Sequence, residues 1–196
     1  MNSRLLAPLC ALTLLTGCVT PVGPVEVTRF HAADITALGK GSIAVEAAPG
    51  MDAASLELRS FQGAVAQQLQ RIGYATAVQG SGNQIALVKL SRSRFKPQRN
   101  GSPVSVGLGG STGSYGSGLG VGIGLNLSGP PPEMVETMLG VVIKDRKSAT
   151  VLWEGRASFS VKATSPLANS ELGAAKVAEA LFAGFPGHSG ETILVK

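Results

Sequence analysis

Few side chains in this 196-residue sequence have the type and spacing that metal binding or thiol chemistry needs. Neither histidine, His31 nor His188, has a second histidine or a cysteine at metal-ligand spacing. The two cysteines, Cys10 and Cys18, are too few for a zinc finger, an iron–sulfur cluster or a disulfide scaffold. We therefore expect no metal site in this protein.

Catalytic patterns are equally sparse. Gly109, Ser111 and Gly113 fit G-x-S-x-G, whose serine is reactive on a strained turn between a strand and a helix. Here the glycines lead into a strand-like stretch and then prolines, and such a match arises readily by chance among glycines and serines. Glu133 and Glu136 are close, but their odd spacing puts them on opposite faces of a strand. The sequence predicts no catalytic residue and no cofactor, and a hydrolase is the less favoured alternative.

The most specific motif ends an apolar run at the N-terminus. Arg4 precedes mostly apolar residues from Leu5 to Leu15, which is the charged start and short apolar core of a secretory signal. At about eleven residues, the run falls below the roughly 18–20 that cross a bilayer as a helix. Its end, Leu15-Thr16-Gly17-Cys18, resembles the bacterial lipobox.

The lipobox resemblance implies cleavage between Gly17 and Cys18, diacylglycerol on the sulfur of Cys18, and a fatty acyl chain such as palmitate on its new amino group. Residues 1–17 are then a signal peptide, and residues 18–24 are a lipidated cysteine with a short tether. Val19 is not the aspartate that commonly retains such proteins in the inner membrane. The resemblance therefore favours the periplasmic leaflet of the outer membrane; an ordinary cleaved signal with an incidental cysteine is the alternative.

Four basic residues suggest a contact with anions. Arg92, Arg94 and Lys96 alternate along a predicted strand, so we expect their charges on one strand face, and Arg99 follows. They would bind phosphates of lipid or lipopolysaccharide, or another anionic envelope polymer. The alternative is a charged strand end that stays in water and blocks edge pairing. Nucleic acid is not an expected partner, because aromatic residues do not interleave with these charges.

Composition and periodicity predict one α+β domain over residues 25–196. The chain is 44% hydrophobic, which suffices for a buried core and excludes wholesale disorder. Apolar alternation or β-prone runs predict strands at 26–30, 42–46, 84–96, 133–144 and 150–162. A polar loop over 145–149 separates the last two strands.

Two amphipathic helices complete the prediction. The first lies between Asp52 as N-cap and Gly73 as stop, with an apolar face of Leu58, Phe61, Val65, Leu69 and Ile72. The second opens at Ser165-Pro166 or at Ser170 and stops at Gly184, with an apolar face of Leu172, Ala175, Ala178, Leu181 and Phe182. Burying these faces predicts a two-layer sandwich, in which both helices lie on one face of a largely antiparallel sheet.

Four segments of the body also resemble a known family. They are residues 27–30, 70–74, 151–157 (VLWEGRA) and 180–186 (ALFAGFP). Together they are similar to domain-of-unknown-function family 4136, a family of bacterial envelope lipoproteins, and the resemblance covers most of the chain after Cys18. It implies the fold and the location and supplies no active site.

A glycine-rich insertion over residues 101–132 departs from the rest. Within 104–127, apolar residues alternate with glycine, serine or asparagine on both sides of a Gly/Ser/Tyr centre. A period of two puts the apolar side chains of a β-hairpin on one face and leaves the other nearly bare. One hypothesis is that such hairpins insert into a membrane or assemble into a homo-oligomer; the other is that the hairpin folds onto its own domain or stays partly mobile.

The sequence thus predicts a non-enzymatic lipoprotein of the bacterial outer membrane that acts as a binding or scaffolding module. The predicted anchor is the lipid bilayer through acylated Cys18, and the candidate contact surfaces are the hairpin and the residues from Arg92 to Arg99. The alternative is an oligomeric assembly that inserts its glycine-rich hairpins into the membrane.

Overall fold

The computed structural model describes residues 23–98, 104–111, 118–125 and 129–196. Within them, a seven-stranded sheet and two helices form a mixed arrangement, in agreement with the predicted α+β class. The elements are β1 (Val25–His31), β2 (Ser42–Ala47), α1 (Leu56–Arg71), β3 (Ala75–Ala77), β4 (Gln84–Phe95), β5 (Val104–Ser111), β6 (Gly118–Leu125), β7 (Met134–Asp145), β8 (Val151–Lys162), α2 (Ser170–Phe182) and β9 (Thr192–Val195).

The sheet has the strand order β3-β2-β4-β7-β8-β1-β9. Strand β2 is parallel to both β3 and β4, whereas the other neighbouring pairs are antiparallel. The three strands β4, β7 and β8 have twelve residues each and form the centre. The sequence did not predict the edge strands β3 and β9, because three and four residues are too short to display a period.

Helix α1 begins later than predicted. Its N-cap is Ser55, whose side chain accepts a hydrogen bond from the amide of Leu58. Asp52 instead accepts from the amide of Ala54 in the preceding turn, so its assignment as N-cap was wrong. The predicted stop at Gly73 is confirmed, since its φ of +109° is one that glycine adopts without steric cost.

Helix α2 starts at Ser170, after a 3₁₀ turn over Pro166–Ala168, and its N-cap is Asn169. The predicted apolar face was wrong in part: Leu172 is 52% exposed and Ala175 is exposed. The buried face instead includes Gly173, Ala174 and Val177. Small residues occupy it because the backbone approaches closely; a Cβ on Gly173 would lie 2.7 Å from the carbonyl oxygen of Leu167.

The core contains residues of both helices and of the central strands. Along β7 and β8, alternate residues are buried, including Leu139, Val141, Ile143, Trp153 and Phe159. Helix α1 packs against β2, β3 and β4, helix α2 packs against β1, β7 and β8, and the helices pack against each other. On the other strand face, Phe30, Met138 and Leu194 are about half or more exposed.

Strand registers define two ends of the sheet. Glu26, near the start of β1, pairs with Ser158 of β8. Met134, the first residue of β7, pairs with both Lys162 of β8 and Phe95, the last residue of β4. We call this the proximal end: β1 starts there, β4 ends there, and the segment from 96 to 133 leaves and returns there. Both helices also begin there: Arg92, near the end of β4, contacts Glu57 in the first turn of α1 and Ser170 at the start of α2.

Strands β5 and β6 form a separate two-stranded antiparallel sheet within the segment between β4 and β7. Its register sets large aliphatic residues opposite one another, in the pairs Val104–Leu125, Val106–Ile123 and Leu108–Val121. The intervening positions pair glycine or serine with glycine, in the pairs Ser105–Gly124, Gly107–Gly122, Gly109–Gly120 and Ser111–Gly118.

Candidate functional site

Three of the predicted site residues, Gly17, Cys18 and Arg99, lie outside the described residues. The other three, Arg92, Arg94 and Lys96, lie at or just beyond the end of β4. They do not form one uniform charged surface. Arg92 is turned into the protein, while Arg94 and Lys96 are exposed.

Arg92 connects the sheet to the starts of both helices. Its side chain is only 12% exposed. Its Nε donates to Oγ1 of Thr137 at 3.0 Å, and its Nη2 donates to the carbonyl oxygen of Ala168 at 2.8 Å. Its Nη1 donates to Oγ of Ser170 at 2.7 Å and to Oε1 of Glu57. These contacts join β4, β7, α1 and α2, so Arg92 stabilises the packing of the proximal end. The prediction that Arg92 is an exposed cation available to a ligand was therefore wrong.

The carboxylate of Glu57 balances the charge of Arg92. Burial by itself would raise the pKa of Glu57, but hydrogen bonds from Arg92 and Ser170, together with the charge of Arg92, hold that pKa below its usual range. The Oγ of Ser170 also donates to Oε1 of Glu57, at 2.9 Å. A carboxylate stabilised in its ionised form is a poor proton acceptor, so this serine–glutamate pair is not an activated nucleophile.

Arg94 occupies the same strand face two residues later but lies beyond the cover of the helices. Its side chain is 68% exposed, and its Nη1 lies 3.9 Å from Oε2 of Glu133. The alternation that places Arg92 and Arg94 on one face was thus identified correctly in the sequence. What it could not reveal is that the first turns of α1 and α2 cover Arg92 and leave Arg94 in water.

A polar cleft of about 440 Å³ opens between the end of β4 and the helix starts. It is lined by Glu57, Arg92, Ser93, Arg94, Val135, Ala168, Asn169 and Ser170. Most of these side chains are charged or polar, and Glu57 and Ser170 are already engaged by Arg92. The cleft can therefore accept a small hydrogen-bonding group near Arg94.

The opposite, distal end of the sheet carries a second charged cluster. Nη2 of Arg146 donates to Oε1 of Glu46 at 2.7 Å, and the amide of Gly80 donates to the same oxygen at 3.0 Å. Burial would raise the pKa of Glu46, yet these hydrogen bonds and the charge of Arg146 hold it below its usual value. Nε of Arg146 donates to the carbonyl oxygen of Gly82 at 3.1 Å. The cluster ties together loops that surround the β2–β3 edge.

A buried cation also lies at the distal end, under the chain that follows α2. Arg29 is 4% exposed, and its Nη2 donates to the carbonyl oxygen of Ala180 at 3.2 Å. Among the described residues, its Nε has no hydrogen-bond acceptor. Burial lowers the pKa of Arg29, and the charge of Glu191 opposes that change. Gly187, with φ of +80°, closes over this side chain; a Cβ there would lie 2.9 Å from Nη1.

In the part of the chain that the structure describes, no three histidine, cysteine, aspartate or glutamate residues are grouped so that they could hold a metal ion. None of the helices described is long and apolar enough to cross a membrane.

No family model matches the chain. An uncharacterized protein of Zymomonas mobilis subsp. mobilis is 37% identical over 62 residues, which are 32% of this chain and 23% of that protein. The match thus spans less than a quarter of the length of this relative.

Among solved structures, a PDZ domain protein from Parabacteroides distasonis has a TM-score of 0.47 at 12% identity. The alignment covers 88% of this chain and 39% of that one. A PelC dodecamer from Paraburkholderia phytofirmans has a TM-score of 0.42 at 14% identity, and the alignment covers 80% of this chain and 96% of that one. Scores this low carry no argument about function or assembly.

Proposed function

We propose that this protein is a non-enzymatic lipoprotein, anchored by acylated Cys18 in the periplasmic leaflet of the bacterial outer membrane, which binds or scaffolds another envelope component. The observation that supports the proposal most strongly is the common position of two segments. The tether before β1 and the glycine-rich insertion between β4 and β7 both leave the sheet at its proximal end. A lipid anchor at Cys18 would hold this end at the membrane.

The tether is short enough to restrict the orientation of the domain. Six residues separate Cys18 from Val25, so the seven steps from one Cα to the other span at most about 25 Å. Glu26 pairs with Ser158, which sets Val25 opposite Phe159, and β8 continues from there to Lys162, about 10 Å along the strand. The fully extended tether therefore exceeds this overhang by about 15 Å. The proximal end would face the bilayer closely, and the distal end with Arg146 would face the periplasm.

We infer a two-layer sandwich with both helices on one sheet face, supported by the alternate burial along β7 and β8 and by the packing of α1 against α2. The glycine-rich hairpin is then an insertion between two neighbouring sheet strands. The resemblance to domain-of-unknown-function family 4136 agrees with this arrangement and with the envelope location.

Exposed cations are the proposed contact with anionic envelope material. Arg94 and Lys96 lie at the proximal end, and Arg99 follows them in the chain. Arg92 is removed from this surface, because its donors are used inside the protein. Phosphates of lipid or lipopolysaccharide are the expected ligands, since each basic residue near an anionic surface contributes about 1 kcal/mol.

The anchor can be tested on the full-length protein expressed in a Gram-negative host. We would measure intact mass and membrane fractionation for wild type and for Cys18→Ala, with Cys10→Ala as a matched control inside the signal peptide. Acyl mass and outer-membrane recovery are expected for wild type and Cys10→Ala and should be lost for Cys18→Ala. A soluble, unacylated wild type would overturn the proposed location and anchor.

A further inference from the structure

The polar cleft at the proximal end contains two charged groups whose hydrogen-bonding capacity is not fully used inside the protein. Among the described residues, the hydrogen bonds from Arg92 and Ser170 to Glu57 both end on Oε1, so Oε2 remains available as an acceptor. Nη1 of Arg94 lies 3.9 Å from Oε2 of Glu133, which is beyond hydrogen-bond distance. The cleft thus offers a carboxylate oxygen and a guanidinium to a ligand.

The presence of both charges restricts the kind of ligand that fits. Hydrogen bonds from Arg92 and Ser170 and the charge of Arg92 hold the pKa of Glu57 below its usual range, so its carboxylate is ionised at neutral pH. A simple anion bound to Arg94 would share the cleft with this carboxylate, and a simple cation would share it with the guanidinium. A zwitterionic group avoids both repulsions and forms charge-assisted hydrogen bonds at each end.

We propose that the cleft binds the phosphoethanolamine headgroup of a phospholipid, with the phosphate on Arg94 and the primary ammonium on Oε2 of Glu57. The inference rests on the proposed function for the source of this ligand, because an envelope location at a bilayer supplies such headgroups. The guanidinium can donate parallel hydrogen bonds to phosphate oxygens. Asn169, which is exposed and lines the cleft, uses its Oδ1 for the amide of Glu171 and leaves its Nδ2 as a further donor. A volume of about 440 Å³ is within the range of small-ligand sites.

The spacing along β4 favours phosphoethanolamine over an α-amino acid. Arg92 and Arg94 are two residues apart on one strand face, about 7 Å, and Glu57 is held by the first of them. In phosphoethanolamine an ester oxygen and an ethylene group separate phosphorus from nitrogen, whereas a single carbon separates the charged groups of an α-amino acid. The longer zwitterion is therefore better suited to reach both charges, and Val135 gives the lining an apolar residue beside its ethylene group.

Soluble analogues test this recognition without a bilayer. The full-length protein in a nonionic detergent would be titrated calorimetrically with glycerophosphoethanolamine, glycerophosphocholine, glycerol 3-phosphate, ethanolamine and glycine. Glycerophosphoethanolamine should bind, and each of the others should bind about tenfold more weakly, because it lacks the ammonium N–H donors, one of the charges or the phosphate. No saturable binding of glycerophosphoethanolamine at millimolar concentrations would overturn the proposal. Equal binding of glycerol 3-phosphate would overturn recognition of the ammonium, and equal binding of ethanolamine or glycine would overturn recognition of the phosphate.

Substitutions assign the two contacts. Arg94→Gln and Glu57→Gln should each weaken binding of glycerophosphoethanolamine about tenfold. Glu57→Gln should also remove the preference over glycerol 3-phosphate, which the loss of a merely structural contact would not do. Lys89→Gln, in the same strand but on the opposite face, is the matched control and should bind as wild type does. Wild-type affinity in Arg94→Gln would overturn the assignment; because Arg94 is 68% exposed, this variant is expected to fold even where Glu57→Gln does not.

Mixed micelles distinguish the lipid from the free headgroup. Phosphatidylethanolamine in the micelles should displace bound glycerophosphoethanolamine, whereas phosphatidylcholine should not. Failure of both lipids to displace it would overturn the lipid as the source of the ligand.

Intact mass of the same samples separates this proposal from the anchor. Acylated protein that does not bind glycerophosphoethanolamine would refute the cleft assignment and leave the anchor at Cys18 standing. Unacylated protein that binds the analogue would refute the anchor and leave the chemistry of the cleft standing. Circular dichroism and thermal unfolding identify any variant that fails to fold.

Discussion

Helix α2 contacts an arginine with little solvent exposure at each of its ends, and the two arginines are held in different ways. Arg92, at the proximal start of the helix, donates four hydrogen bonds and faces the carboxylate of Glu57. Arg29, at the distal end, donates one long bond to the carbonyl oxygen of Ala180, and its Nε has no acceptor among the described residues. Both side chains are largely withdrawn from water.

The helix dipole explains part of this difference. The start of a helix carries partial positive charge and the end carries partial negative charge. A cation at the start is therefore unfavourable unless an acid compensates it, and Glu57 supplies that charge. A cation near the end is already in a favourable field, so Arg29 needs less compensation. The start of α2 is thus held by a polar network, whereas its end packs against Trp153 through Phe182.

The largest expected effect comes from disturbing that distal packing with Gly155→Ala. A Cβ at this position would lie 2.2 Å from Cη2 of Trp153 and 2.8 Å from Cδ1 of Leu181. The indole also stacks on Phe182 at 5.3 Å, so it has little room to move. We expect a loss of about 3 kcal/mol in the free energy of unfolding, measured by urea denaturation.

Gly140→Ala provides the matched control for this substitution. Gly140 is also within a central strand, but the nearest heavy atom to its added Cβ would be Cβ of Lys89 at 3.7 Å. That is an ordinary van der Waals distance, and the change should alter stability by less than about 0.5 kcal/mol. Equal losses for both variants would show that the effect comes from the strand backbone and not from the indole.

The next largest loss of stability is expected at the proximal end. Arg92→Met keeps much of the apolar stem but leaves Thr137, Ser170 and the carbonyl of Ala168 without their shared donor. Buried acceptors that lose a charged donor cost roughly 1–3 kcal/mol, and we expect about 2 kcal/mol. Urea denaturation of Arg92→Met and wild type at pH 7 measures it. A loss below about 0.5 kcal/mol would contradict a central role for this network.

Glu57→Gln tests the charge within the same network. Because the pKa of Glu57 is lowered on folding, its ionised form adds stability above the unfolded pKa of about 4.3, and this is lost as the pH falls through the folded value. The side chain is 44% exposed, so solvent screening limits the expected loss to about 1 kcal/mol at pH 7. The difference from wild type should shrink below pH 4 in urea titrations; a difference independent of pH would exclude the ion pair as its cause.

Much of the sheet was predictable because its central strands are long. Strand β4 was expected to end at residue 96 and ends at Phe95, and β8 was expected to begin at 150 and begins at Val151. Twelve residues of alternation determine such bounds well. The helix ends were less accurate, because Ser55 and Asp52 are both good N-caps and tertiary packing decides between them.

The candidate site shows where sequence reasoning stops. Spacing placed Arg92 and Arg94 on one face, but Glu57 lies 35 residues from Arg92 in the chain and Ser170 lies 78 residues from it. No local pattern links such residues. One signal was present: Thr137 is the polar member of the buried series Val135, Thr137 and Leu139, and a buried hydroxyl needs a hydrogen-bond partner.

The smallest change in the free energy of unfolding is expected at Arg29, because the substitution removes both a favourable and an unfavourable contribution. Arg29→Met removes the 3.2 Å bond to Ala180 and the favourable interaction with the end of α2. It also removes a guanidinium that is 4% exposed and whose Nε has no acceptor among the described residues. An apolar side chain of similar length often replaces a poorly paired buried charge without loss. Urea denaturation should therefore show a change within about 0.5 kcal/mol, against about 2 kcal/mol for Arg92→Met. A loss as large as that of Arg92→Met would mean that the distal arginine is held as firmly as the proximal one, and that the field of the helix end makes up for the hydrogen bonds that Arg29 lacks.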